Sequence, residues 1–88
     1  MIEGVTRSGF QFKLDDEVID DYELLEDLCE IDGGNDAKVP SILTRLLGKE
    51  QKEALKDHVR TGTGRVPTSR MMEELMDIFT RNQQGKNS

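Results

Sequence analysis

Tryptophan is absent, cysteine occurs once, proline twice, and no apolar run approaches the roughly 20 residues that a membrane-spanning helix requires. A single cysteine excludes an internal disulfide, so this chain of 88 residues, 34% of them hydrophobic, must rely on packing instead of cross-links. Its core is thin for one domain, and completion by a partner or by self-association is a reasonable expectation. Cys29 lies in LLEDLCEI on an apolar helical stripe and reads as a small core residue, since no base lies near it in sequence to lower its pKa. The one histidine, His58, is far from Cys29 in sequence, which leaves no zinc set and no Cys-His pair; it reads as a half-exposed helix residue. The opening MIEGVTRSGF has neither the charged region nor the apolar region of a secretion signal, and the expected place of the chain is the cytosol.

What is plentiful is acid, and it is unevenly placed. The net charge is -6, yet residues 15 to 36 hold eleven acids and no lysine or arginine, whereas residues 37 to 88 hold ten bases against six acids, a net of +4. An acidic whole argues against general nucleic-acid binding, where affinity comes mostly from neutralised phosphates. Arg45, Lys49, Lys52, Lys56 and Arg60 recur at intervals of three and four and would form a basic stripe if the helix ran on through Gly48. Such a stripe could serve nucleic acid or an acidic partner; pairing with the chain's own acidic segment, or a solvated face, is the favoured expectation.

The pattern along the chain predicts a mainly α fold, a small helical domain of about four short helices with an N-terminal β-hairpin at 2–14, the domain covering 1–82 and a disordered tail covering 83–88. Phe10, Phe12 and Leu14 alternate with Gln11 and Lys13, Ile2 to Val5 supplies the partner strand, and Arg7-Ser8-Gly9 the turn. A lone hairpin is marginal in water, so its phenylalanine face must meet a helix or another chain. In DDEVIDDYELLEDLCEID, Val18, Tyr22, Leu25 and Cys29 keep helical spacing, and Leu24, Leu28 and Ile31 widen the stripe. Asp20 with Glu23 suits a helix start, and Gly33-Gly34 a stop. The next helix carries Val39, Ile42, Leu43, Leu46 and Leu47 with Pro40 in its first turn; Gly48 separates it from a third, poor in apolar residues beyond Ala54, Leu55 and Val59. A fourth starts after Val66-Pro67, capped by Thr68 or Ser69, and runs to about Arg81. Its Met71, Met72, Met76 and Phe79 read first as core and second as an adaptable face for a peptide or protein.

The candidates for chemistry are weak. TGTGRVPTS has glycines at 62 and 64 but lacks the GxxxxGK[ST] pattern and follows a helix where a phosphate loop follows a strand, so it reads as a joint, with Gly62 as a helix cap and Gly64 as a flexible link. DGGND lacks the ligand spacing of a calcium loop, because Gly34 stands where the second ligand belongs. Carboxylates abound, but acid-base work needs a pocket to shift their pKa values. No catalytic residue, metal or cofactor is expected, and the chain reads as a binding module. Its candidate partner contacts are Met71, Met72, Met76 and Phe79 together with Asp20, Asp21, Glu23, Glu26 and Glu30.

GFQFKLDD, then DDYELLEDL, then VPSILTRLLGKEQKEALKDHVR, then GRVPTSRMMEELMDIF, in this order over residues 8 to 80, resemble the small tail assembly chaperones of long-tailed phages and prophages of Gram-positive bacteria. The resemblance implies a non-enzymatic protein of the host bacterial cytoplasm that binds the tape-measure protein, the tail-tube protein or both during tail assembly. It also implies a homo-oligomer without nucleic-acid or membrane contact. In that family a ribosomal slip often appends a second domain, and Gly85-Lys86-Asn87 permits the adenine-rich codons that such a slip favours. A head-to-tail connector or neck protein, and a small helix-turn-helix regulator using SILTRLLGKEQKEALKDHVR, are the alternatives. The second would carry Glu50, Glu53 and Asp57 toward phosphates.

Overall fold

In the computed structural model, which describes residues 1–86 and side chains as far as Thr80, the chain opens on an antiparallel hairpin. Strands β1 (Ile2–Val5) and β2 (Gln11–Leu14) pair in a register that sets Ile2 opposite Leu14 and Gly4 opposite Phe12. Alternation puts Phe12 and Leu14 on the inner face, both almost fully buried. A Cβ at Gly4 would stand 2.6 Å from Phe12 Cζ, so the bare backbone here is what lets the ring lie across the strand.

The acidic segment forms two helices instead of one. Asp15 caps α1 (Asp16–Ile19) by accepting from Glu17 N–H, and Asp21 caps α2 (Tyr22–Asp32) by accepting from the N–H groups of Glu23 and Leu24. The cap thus falls on Asp21, one residue after the expected Asp20, because two orphan N–H groups are within reach of its carboxylate. Gly33 and Gly34 end α2, and a 3-10 turn (Asp36–Lys38) leads into α3 (Val39–Val59).

Pro40 sits in the first turn of α3, and Val39, Ile42, Leu43, Leu46 and Leu47 are all buried, as their spacing predicts. At Gly48 the backbone leaves the helical region, with φ 81° and ψ 164°, a conformation that is essentially reserved for glycine. The expected break is there as a kink, beyond which Leu55 and Val59 keep the second half against the core while Ala54 stays exposed.

Between helices, Thr61 N–H donates to Arg65 O and Arg60 Nη1 to Gly64 O. The positive φ belongs to Gly64 and not to Gly62, and α3 is capped by Arg60, which corrects the roles expected for the two glycines. Helix α4 spans Thr68–Lys86, past the expected stop near Arg81, since adding polar residues to an established helix costs little. Only Asn87 and Ser88 of the expected disordered tail lie outside the described residues.

Helix α3 is the centre of the fold. It packs against β2, α1, α2 and α4, while α4 also reaches β1. Phe12, Leu14, Leu24, Leu28, Ile42, Leu43, Leu55, Leu75 and Ile78 belong to one continuous core. Phe10 and Phe12 are covered within this core, so the phenylalanine face meets helices of its own chain, one of the two outcomes expected for it. No helix among the described residues is long and apolar enough to cross a membrane.

Candidate functional site

The outer side of α2 carries two of the exposed large hydrophobic side chains among the described residues. Leu24, Leu28 and Ile31 turn inward, and Tyr22 (70% exposed), Leu25 (42%) and Cys29 turn to solvent. The expectation that Tyr22, Leu25 and Cys29 head the buried stripe is therefore reversed. Both triplets keep helical spacing, and packing on α3 selects the second. Around the outer triplet lies a shallow open hollow of about 480 Å3 that also takes in Glu26 and Glu30.

The acids of α2 divide by partner. Arg45 donates Nη2 to Asp21 Oδ2 at 2.9 Å and Nη1 to Asp27 Oδ2 at 3.1 Å, and so bridges two carboxylates. Lys38 Nζ stands 3.5 Å from Asp27 Oδ1 and 3.3 Å from Glu30 Oε2. Partial desolvation pushes the Asp21 carboxyl up, but the N–H groups of Leu24 and Glu23 and the Arg45 guanidinium outweigh it and hold the pKa below the ordinary 3.8. The Glu30 hydrogen bond, then the charges of Asp27 and Glu30, hold the Lys38 ammonium above its ordinary 10.5, against a smaller desolvation effect. Asp20, Glu23 and Glu26 are exposed and have no basic partner among the described residues.

The expected basic stripe is largely spent inside the chain. Arg45 serves α2, Lys52 Nζ donates to Thr44 Oγ1, and Lys56 and Arg60 pair with Glu53 and Asp57 one turn back. The methionine face is also divided. Met71 is buried, Met72 and Phe79 are half-buried, and Met76 is 40% exposed.

A polar cluster that sequence reading missed fastens the hairpin. Glu74, 5% exposed, accepts at Oε1 from Thr6 Oγ1 (2.8 Å) and Ser8 Oγ (2.9 Å), and Phe10 N–H donates back to Thr6 Oγ1. His58 Nε2 lies 3.0 Å from Ser8 Oγ and 3.2 Å from Ser8 O, with its ring against Phe10 at 5.6 Å. A carbonyl only accepts, so Nε2 carries a proton and the order runs from His58 N–H to Ser8 Oγ–H to Glu74. A serine nucleophile needs the opposite order, its proton aimed at an imidazole lone pair. This Ser-His-Glu trio fastens the hairpin turn to α3 and α4. One signal for it was legible, because Glu74 interrupts the stripe Met71, Leu75, Ile78 at core spacing.

Gln51 is the other missed residue. Its Oε1 accepts from Lys13 N–H and its Nε2 donates to Lys13 O, each at 2.7 Å, covering the outer edge of β2 as a paired strand would. Among the described residues no group of three or more His, Cys, Asp or Glu side chains is arranged to hold a metal ion. The fold and surface together define a small mainly α domain with an N-terminal hairpin. Comparison of the chain with protein-family models, curated proteins and solved structures returns no match.

Proposed function

We propose that the chain is a non-enzymatic assembly chaperone of the phage-tail kind, holding the tape-measure or tail-tube protein in the host cytoplasm while the tail is built. The observation that carries the reading is the outer side of α2. The string DDYELLEDL, part of the resemblance, folds into a helix with one apolar stripe in the core and another in water. The apolar line lies beside exposed carboxylates, and we assign it to the client. The helix-turn-helix alternative is disfavoured by α3 itself, where exposed Glu50, Glu53 and Asp57 accompany bases already paired within the helix.

Co-expression with the tape-measure and tail-tube proteins encoded beside it tests the proposal. The expected result is a soluble complex with one of them and absence of the chain from finished particles. Stoichiometric retention in purified particles supports the connector alternative, and failure to hold either protein overturns the chaperone reading.

A further inference from the structure

The geometry points to a specific occupant for the outer side of α2: a basic amphipathic helix, its apolar side on Tyr22, Leu25 and Cys29 and its lysines or arginines facing Asp20, Glu23 and Glu26. This deepens the chaperone reading by giving the chemistry of the client segment, and it rests on that reading only for the client's identity.

Tyr22, Leu25 and Cys29 stand at i, i+3 and i+7, so they form one line along a helix about 16 Å long. All three are exposed. An extended peptide has no strand edge to join here, because the backbone groups of α2 are engaged within the helix; a helix laid along the stripe uses side chains alone. Charge then selects the kind of helix. Asp21, Asp27 and Glu30 already face Arg45 and Lys38, whereas Asp20, Glu23 and Glu26 are left over on the water side. Covering these three with a neutral or acidic surface would strip water from carboxylates without return. Lysines or arginines at the rim supply the missing partners and speed encounter. A second copy meeting it through its own α2 is a poor occupant, since that helix brings the same acids. Anionic lipid and nucleic acid are repelled for the same reason.

Two synthetic peptides of identical leucine and lysine composition serve as probes for the full chain. In one, leucines fall at i, i+3 and i+7 with lysines at the flanks; in the other the order is scrambled. Fluorescence anisotropy should show the patterned peptide binding about tenfold more tightly, with Tyr22→Ser plus Leu25→Ser removing that advantage, the scale expected for losing a buried leucine. Glu23→Lys plus Glu26→Lys should weaken binding and flatten its salt dependence. Glu50→Lys plus Glu73→Lys, the same charge change on exposed sites elsewhere, should leave the preference for the patterned peptide intact. Cys29 gives a readout that needs no substitution: bound peptide should slow its alkylation, and a bulky thiol adduct there should block binding.

Equal binding of the scrambled peptide, or unchanged binding by the Tyr22/Leu25 variant, overturns the inference. So does a dimer that Leu25→Ser converts to monomer, which would make a second copy the occupant. If the peptide binds as expected but neither tail protein is held, the surface stands and the chaperone reading falls. If a tail protein is held equally by the wild type and the Tyr22/Leu25 variant, the chaperone reading stands and this surface falls.

Discussion

The hairpin and α2 are both held to the rest of the fold by polar groups as well as by apolar burial, but the Thr6–Glu74 pair at the centre of the first set is closed off from water, whereas the Arg45–Asp21 pair of the second stands in it. At the hairpin, Thr6 and Glu74 are buried, their hydrogen bond is 2.8 Å long, and no buried side-chain nitrogen or oxygen among the described residues lacks a partner. At α2, Arg45 and its partner Asp21 are each more than a third exposed, and salt and water screen what they contribute. A buried acceptor that loses its donors is left without water to replace them; an exposed carboxylate is rehydrated at once. The hairpin is therefore fastened firmly and specifically. Helix α2 is anchored by Leu24, Leu28 and Ile31, with screened ion pairs at its rim.

The largest effect that can test this contrast comes from Phe12, 3% exposed beneath Gly4. Phe12→Ala should destabilise the domain by about 3–5 kcal/mol in urea unfolding, enough to leave an 88-residue chain barely folded. A cost near that of an exposed substitution would mean that the hairpin is not integral to the core.

Next comes Glu74→Ala, which takes the acceptor from the buried Thr6 hydroxyl, while the exposed Ser8 hydroxyl can turn to water, and should cost about 1–3 kcal/mol. Glu74→Gln keeps an oxygen acceptor at the same place and should cost less. If Glu74→Ala proves as mild as Glu74→Gln, the buried cluster does not hold the hairpin and the contrast collapses.

Arg45→Ala should be milder still in global unfolding, while hydrogen exchange speeds up in α2 and not in the hairpin. In 1 M salt the difference from wild type should shrink. Equal acceleration in both regions would show that the two fastenings are coupled.

The smallest effect is that of pH on the α2 pairs. Asp21, with a folded pKa below 3.8, contributes stability above its unfolded value and loses it as pH falls from near 3.8 through the folded value. Lys38, raised above 10.5, contributes fully below its unfolded value and loses that contribution as pH rises through the folded one. Exchange in α2 at constant intrinsic rate should thus be flat across neutral pH and loosen at the two extremes. A transition near pH 7 confined to α2 would contradict this assignment.

Much of this was legible along the chain. The hairpin's alternation, the Gly33-Gly34 stop, Pro40 in the first turn and the five apolar positions of the first half of α3 are local signals, and local signals settle local structure. Gly48 announced a break but not its form, because a glycine permits a conformation without saying how the flanking segments will use it.

Periodicity determined which residues of α2 share a line and the order of the elements, and composition the rise from acid to base along the chain. It could not determine which of two adjacent apolar lines would face inward, since spacing fixes angles between residues and leaves rotation about the helix axis open. Packing on α3 made that choice and turned Tyr22, Leu25 and Cys29 outward. The fastening of Thr6 to Glu74, 68 positions apart, was likewise beyond any local pattern. Only tertiary structure brings such groups together, because a hydrogen bond depends on distance in space and a sequence records distance along the chain.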